Sequence, residues 1–205
     1  MIRVLIVEDH ESMREAITGA FTATQRYQIV GEVGNANFAE LFCQRLQPDL
    51  VLMDVCTEGG ASGLTAAQTI KERFPETKVI IMTAFDELSY IPRARAAGAD
   101  GFVYKSRSLQ FFVETADRIL AGEQYFPEQR TVPVSQGEVP LSDREMEVLR
   151  LMCKHMSNEE IANELFISES TVRYHKANML AKTGFSKSMD LAFYMISNGF
   201  INPLY

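Results

Sequence analysis

The chain has 205 residues, of which 46% are apolar and 23% are charged, and its formal net charge is −7. This composition is typical of globular proteins, and the length fits one large domain or two modest ones. The apolar runs are strand-sized, and the N-terminus lacks the features of a signal peptide. The three cysteines are scattered without metal-ligand spacing. We therefore expect a reduced, cytoplasmic protein with no membrane segment, whose acidity disfavours non-specific binding of polyanions.

Short β-rich runs alternate with helix-period segments through the first part of the chain. The five runs are residues 2–9, 27–33, 49–55, 78–84 and 100–105. The helical segments are residues 11–24, 37–46, 64–74, 86–97 and 109–121. Continuous apolar strands separated by helix-length segments are typical of a parallel sheet with helices on both faces. The sequence therefore predicts an α/β domain, residues 1–121, with a doubly wound five-stranded parallel sheet.

A second, all-helical domain is predicted after a linker. Residues 122–140 contain three prolines, two glycines and no sustained period, which is typical of a tether. The helices that follow begin at Ser142, Ser157, Ser168 and about residue 187. An acid stands three residues after each of the first two serines, which is the spacing of a capping box. We therefore expect residues 141–205 to form a small all-α domain of four helices.

Polar residues stand where four of the predicted strands end. They are Glu8 and Asp9, Asp54, Thr83 and Lys105. Ligands of open parallel sheets bind at the carboxyl ends of the strands. Converging carboxylates repel unless a cation joins them, and oxygen ligands of this kind suit Mg²⁺. Asp54 would then stay ionised as a nucleophile toward phosphorus, while Thr83 would hydrogen-bond the transferred phosphoryl group and Lys105 would neutralise its charge.

Each of these residues alone has an ordinary explanation, as a helix-end acid, a strand threonine or a surface lysine. Together with their flanking motifs they point to a family. The stretches "VLIVEDH", "PDLVLMDV", "VIIMTA" and "GADGFVYK" resemble the receiver domain of bacterial two-component response regulators across nearly all of residues 1–121. The resemblance implies that a sensor histidine kinase phosphorylates Asp54. It also implies that Mg²⁺ is held by Asp9, Asp54 and the carbonyl of Cys56, with Glu8 acting mainly through metal-bound water.

The resemblance further implies a switch pair, Thr83 and Phe102, although Phe102 could equally be a plain core aromatic. The loop after Asp54 departs from the family, which commonly has a proline four residues on and a glycine eight on. Here Glu58 takes the first position, and the glycine is displaced by one residue to Gly63, as though one residue were inserted. Because this loop borders the pocket, we expect it to affect metal affinity and phosphoryl lifetime.

The second and third helices of the helical domain, residues 158–165 and 169–183, have helix-turn-helix spacing, in which the second helix enters the major groove. The candidate DNA contacts are Ser168, Glu169, Thr171, Arg173, Tyr174, Lys176, Ala177 and Lys182. Arg173 is placed for bidentate contact with a guanine edge, and Ser168 and Thr171 for backbone phosphates. The alternative is a solvated amphipathic helix in an interaction bundle, because charged helix faces are common.

The stretches "LSDREMEVLRLM" and "SNEEIANELFISESTVRYHKANMLAKTG" resemble the LuxR-type helix-turn-helix of the NarL/FixJ response regulators over about residues 138–201. This resemblance implies sequence-specific binding of double-stranded DNA as a homodimer. It places the dimer contact on the last helix, at Leu191, Met195 and Ile196. Family members often carry a polar or basic residue where this chain has Ala177, so their base preference cannot be transferred to this chain.

We therefore expect a phosphorylation-gated transcription regulator with Mg²⁺ as cofactor, and not an enzyme. One alternative is a phosphate-ester hydrolase with Asp54 as nucleophile, which usually needs a second acid two residues on. Cys56 stands there instead, which disfavours it. The other alternative is a receiver-fold regulator gated by partners or dimerisation without phosphorylation, and the altered loop favours it.

Overall fold

The computed structural model describes residues 1–85, 87–128, 132, 135 and 140–203. The chain divides into two compact units. The first unit comprises Met1–Ala84 and Ser89–Glu128, and the second comprises Phe85–Leu88 and Gln129–Tyr205. The first residues of the predicted linker, up to Glu128, therefore lie in the first unit.

A parallel sheet of five strands forms the centre of the first unit. Its strands are β1 (Ile2–Val7), β2 (Tyr27–Val33), β3 (Leu50–Asp54), β6 (Lys78–Thr83) and β7 (Gly101–Tyr104), where β4 and β5 are the strands of a short hairpin described below. The strands lie in the order β2-β1-β3-β6-β7 across the sheet. This arrangement confirms the predicted doubly wound sheet. The strand order reverses between β1 and β3, so their carboxyl ends meet at the point where such sheets bind ligands.

Helices cover both faces of the sheet, and alternate strand residues supply two separate cores. The helices are α1 (Glu11–Ala23), α2 (Ala39–Leu46), α3 (Gly63–Arg73), α4 (Tyr90–Ala96) and α5 (Leu109–Leu120). Val51 and Met53 of β3 join the core that includes residues of α2, α3 and α4. Their neighbours Leu50 and Leu52 join the core that includes residues of α1 and α5. Burial on both faces explains why the strands read as continuous apolar runs.

The predicted start of the fourth helix, at residue 86, was wrong. Asp86 lies outside the described residues, and α4 begins at Tyr90. Pro92 then falls in the first turn, where a helix does not need its missing N–H. A helix starting at residue 86 would place the proline ring against the carbonyl of Leu88 in its interior, which is unfavourable by roughly 3 kcal/mol.

A hairpin that the sequence did not reveal follows Asp54. Its strands, β4 (Cys56–Thr57) and β5 (Ala61–Ser62), pair antiparallel, and Gly59 and Gly60 in the turn have φ values of 70° and 75°. The buried Thr57 hydroxyl donates to the carbonyl of Ala61 at 3.0 Å and accepts from the N–H of Ala36 at 2.9 Å. The extra residue of this loop is therefore accommodated in an ordered hairpin.

Four helices form the second unit: α6 (Asp143–Cys153), α7 (Asn158–Glu164), α8 (Glu169–Thr183) and α9 (Ser188–Ser197). Both predicted capping boxes are present, at Ser142 and Ser157, and Ser168 caps α8. The turn between α7 and α8 contains Phe166, which has a positive φ of 54° and is 94% exposed. Among the described helices, none has the length and apolarity needed to cross a membrane.

Candidate functional site

The structure brings Glu8, Asp54 and Lys105 together at the carboxyl edge of the sheet. Lys105 Nζ lies 2.8 Å from Asp54 Oδ2 and 2.7 Å from Glu8 Oε2. Glu8 and Asp54 are buried, with relative exposures of 0% and 2%. The juxtaposition follows from the strand order, because β1, β3, β6 and β7 are consecutive neighbours and all run in the same direction.

Burial controls the acidity of this cluster. It raises the pKa of Asp54 to about 6, although Lys105 and a hydrogen bond from the Cys56 amide favour the ionised carboxylate. Burial alone would lower the pKa of Lys105, but the carboxylates of Asp54 and Glu8 outweigh it, and the pKa of Lys105 is raised. The lysine therefore stays charged, and Asp54 is mostly ionised at neutral pH but is a weaker acid than a free carboxyl, so additional positive charge would favour its ionised form.

The donor set fits a divalent cation. Glu8 and Asp54 both contact the ammonium of Lys105, and Asp9 adds a third carboxylate beside Glu8, so two negative charges are left over when all are ionised. The buried Oδ1 of Asp9 accepts no hydrogen bond from any described residue, although His10 Nδ1 lies 2.9 Å away. Ligand atoms of Glu8, Asp9 and His10 lie within 4.8 Å of one another. Carboxylate oxygens of this kind are the ligands that Mg²⁺ prefers.

Three residues outside the predicted site set help to shape this site. Gly63 packs so closely on β3 that a Cβ at this position would lie 1.8 Å from the Asp54 carbonyl oxygen. The Tyr90 hydroxyl lies 3.6 Å from Cys56 Sγ. His10 is exposed but stands beside both acids of the pair at the end of β1. Two features of the sequence could have pointed to these residues: the displaced glycine after Asp54 and the histidine directly after the acid pair.

The predicted switch residues lie on neighbouring strands. Thr83 ends β6 and is 1% exposed, and its carbonyl accepts a hydrogen bond of 2.7 Å from the N–H of Lys105. Phe102, on β7, is fully buried and makes an edge contact with Tyr104 at a centroid distance of 5.3 Å. Burial of Phe102 fits both a switch aromatic in its inward position and a plain core aromatic.

In the second unit, α8 presents part of the predicted DNA-binding set to solvent. Arg173, Tyr174 and Ala177 are exposed, and Arg173 pairs with Glu169 one turn earlier at 3.0 Å. At the start of the helix, the Ser168 hydroxyl lies 2.8 Å from the Thr171 hydroxyl. The exposed arginine and tyrosine stand on the face that the helical period predicts.

Two predicted DNA-binding lysines are instead engaged within the second unit. Lys176 Nζ donates to Asn158 Oδ1 at 2.6 Å, and partial burial lowers its pKa. Lys182 Nζ lies 2.8 Å from the buried carboxylate of Glu145. Burial opposes ionisation of Glu145, but Lys182 and Ser142 outweigh this effect, and the pKa of Glu145 is lowered. A helical wheel places Lys182 on the outer face because it does not include the acid of the neighbouring helix α6.

The predicted dimer contact on α9 needs correction. Leu191 and Met195 are fully buried in the core of their own unit, and Ile196 is partly buried. Their helical stripe holds α9 against the unit, so the first two cannot meet a partner subunit. The exposed apolar residues of this helix are Met189 and Phe193, with 62% and 73% exposure.

Comparisons with known proteins agree with this architecture. Residues 4–117 match the response regulator receiver domain, and residues 139–195 match the luxR family of bacterial regulatory proteins. The Fimbriae Z protein of Salmonella typhimurium is 31% identical over 203 residues, which cover 95% of this chain and 96% of that protein. The response regulator VraR of Staphylococcus aureus is 34% identical over 188 residues, covering 88% and 90%.

Solved structures give the same fold. A structure of two RcsB dimers bound to two parallel DNAs matches with a TM-score of 0.67 at 22% identity, covering 96% of this chain and 98% of that one. A DNA-binding response regulator of the LuxR family from Staphylococcus aureus matches at 26% identity with a TM-score of 0.56, covering 58% and 99%. This chain belongs to the two-component response regulators that carry a receiver domain and a LuxR-type helix-turn-helix, and it acts as a transcription factor.

Proposed function

We propose that this regulator is switched by transfer of a phosphoryl group from a sensor histidine kinase to Asp54. The observation that carries the proposal is the buried Asp54 carboxylate, 2.8 Å from Lys105 Nζ at the switch point of the sheet. The Asp54 carboxylate is buried, has the Lys105 ammonium on one side, and lies in a cluster with excess negative charge. Once a cation balances that excess, the carboxylate can attack phosphorus. Because such transfers occur inside the cell, we also propose a cytoplasmic location.

Mg²⁺ is the cofactor that these residues would hold. Asp9, Asp54 and the Cys56 carbonyl would be the direct ligands, with Glu8 acting through water. The ion would offset the repulsion between the carboxylates and the incoming phosphoryl oxygens. The buried Oδ1 of Asp9, which accepts no hydrogen bond from the described residues and has only His10 Nδ1 nearby at 2.9 Å, supports its assignment as a ligand.

Once Asp54 carries the phosphoryl group, its new charge and oxygen atoms need partners. Phosphorylation adds close to two negative charges. Lys105 is close enough to pair with the new group instead of the carboxylate it holds now, and the Thr83 hydroxyl would donate a hydrogen bond. A shift of Thr83 would reach Phe102 on the adjacent strand, since β6 and β7 are paired. We infer that the surface around α4, β7 and α5 has two states that phosphorylation biases.

The output would be binding of double-stranded DNA by a homodimer. The exposed Arg173 and Tyr174 would read base edges, with Ala177 beside them, and the capped start of α8 would hold a backbone phosphate. Glu169 would orient Arg173. The exposed Phe193 and Met189, next to Ile196, would form the contact between two copies on paired half-sites. The RcsB dimers bound to DNA support this arrangement by analogy.

Intact-mass spectrometry after incubation with acetyl phosphate and Mg²⁺ tests the proposal. Wild type should gain one phosphoryl group, and Asp54→Asn should gain none. Asp49→Asn, just before the same strand, is the matched control and should label like wild type. A label that survives in Asp54→Asn would refute the assignment of the acceptor.

Two rival functions make different predictions, which assays of phosphate release, DNA affinity and transcription distinguish. A hydrolase would turn over phosphate esters and release phosphate continuously, whereas Cys56 offers no acid for that step. A regulator gated without phosphorylation is favoured by the unusual hairpin after Asp54. It would show the same DNA affinity and transcription in wild type and Asp54→Asn.

A further inference from the structure

The chain returns to the edge of the sheet after α5. Tyr125 forms a parallel bridge with Gly101 of β7. The Phe102 N–H donates to the Tyr125 carbonyl at 2.8 Å, and the Tyr125 N–H donates to the Asp100 carbonyl at 3.3 Å. The beginning of the predicted linker is therefore hydrogen-bonded to the backbone of the residue proposed as the switch aromatic.

The next residue is held by a different element. The guanidinium of Arg95, on α4, lies 3.9 Å from the centroid of the Phe126 ring. Phe126 also packs against the core cluster that contains Phe102. Residues 125–126, here called the strap, thus contact both β7 and α4.

The strap packs closely against the sheet at Gly101. A Cβ at Gly101 would lie 2.3 Å from Ile119 Cδ1 and 3.3 Å from the Tyr125 carbonyl. The glycine therefore lets α5 and the strap approach the same point of β7. On its other side, the Tyr125 ring makes an edge contact with Phe111 at 5.5 Å. A linker that served only as a tether would need no such close packing against the sheet.

We propose that the strap is the output connection of the receiver: it is bound to β7 and α4 in the unmodified protein and is loosened by phosphorylation. The proposal rests on the proposed function of Asp54. The strap makes a hydrogen bond to β7 and a ring contact to α4 at the same time, so a shift of those elements relative to each other acts on both contacts. Any displacement of α4 that follows Thr83 must weaken one of the two contacts.

Hydrogen exchange of the full-length protein, read by mass spectrometry, tests this directly. With acetyl phosphate and Mg²⁺, peptides that contain the Phe102 and Tyr125 amides should exchange faster than without the donor. Peptides from β1, whose neighbours in the sheet are β2 and β3, serve as the internal reference. Unchanged exchange of both amides in protein that is fully phosphorylated on Asp54 would overturn the proposal.

A variant pair gives a second measurement. Arg95→Gln removes the cation over Phe126, and Arg93→Gln removes an exposed arginine from the same helix as a control. We expect Arg95→Gln to speed exchange of the Tyr125 amide by about two- to fivefold without donor, as loss of an exposed cation–π contact implies. It should also shrink the ratio of DNA affinities with and without phosphorylation, at unchanged labelling. The control should keep both values at wild-type level.

The outcomes separate the two proposals. Wild type that is not labelled on Asp54 overturns the proposed function and the strap with it. Wild type that is labelled and gains DNA affinity, alongside an Arg95→Gln variant with the same exchange and the same affinity ratio, overturns the strap alone.

Discussion

Replacing Asp54 by Asn should stabilise the metal-free protein, and more so as the pH rises. Burial raises the pKa of Asp54 to about 6, compared with 3.8 for the free side chain. A carboxyl whose folded-state pKa is raised contributes stability at low pH that is lost as the pH rises through the folded-state value. At about 1.4 kcal/mol per tenfold change in acidity, the full loss is about 3 kcal/mol at pH 7.5, and roughly half has occurred by pH 5.

The neutral amide of Asp54→Asn has no such loss. Its advantage over wild type should therefore grow by about 1–2 kcal/mol between pH 5 and pH 7.5 in EDTA. A urea titration with pulsed hydrogen exchange, read on β3 peptides, reports the unfolding of the first unit separately from that of the second. Added Mg²⁺ should restore wild type more than the variant, because an ion that binds the folded state stabilises it. If the stability advantage of Asp54→Asn over wild type stays constant or shrinks with rising pH, ionisation of the buried Asp54 carboxyl does not destabilise the folded protein.

Three further predictions follow from packing and exposure. Gly63→Ala places a methyl 1.8 Å from the carbonyl oxygen at the end of β3, so it should lose about 1–3 kcal/mol in urea unfolding and most phosphoryl labelling. Gly19→Ala, with open space at its Cβ, should instead gain about 0.5–1 kcal/mol, and equal effects of the two would contradict the packing. Arg173→Ala should weaken binding to a selected duplex by about 1–3 kcal/mol and relax its sequence preference, measured by fluorescence anisotropy; an unchanged preference would exclude base readout. Phe193→Asp should abolish cooperative binding to paired half-sites at nearly wild-type stability. Leu191→Ala should instead cost about 2–5 kcal/mol of unfolding free energy. The reverse outcome would mean that the dimer contact lies on the stripe that contains Leu191.

The sheet and the acid cluster were predictable because both follow from local rules. A strand that is buried on both faces must be apolar throughout, so β3 is visible as an uninterrupted run that stops at Asp54. Once five such runs are parallel, their carboxyl ends must share one edge, and the approach of Lys105 to Asp54 needs no further information. The capping boxes at Ser142 and Ser157 were equally local, because each depends on side chains only three residues apart.

The features that sequence reasoning missed all depend on a distant partner. The hairpin after Asp54 has strands of two residues each and is held by Thr57 against Ala36, which no periodicity reveals. Lys182 looks solvent-facing until α6 supplies Glu145. An apolar stripe such as that of Leu191 has the same period whether it faces its own core or a second subunit.

Phosphorylation of one buried aspartate should control DNA binding by this regulator. The most direct measurement is the affinity of the full-length protein for a duplex selected from a random library, with and without acetyl phosphate and Mg²⁺. Wild type should bind at least about fivefold more tightly when phosphorylated, a ratio within the usual range of allosteric coupling, and Asp54→Asn should show no difference. Equal affinities for phosphorylated and unmodified wild type, with full labelling verified by intact mass, would contradict the account.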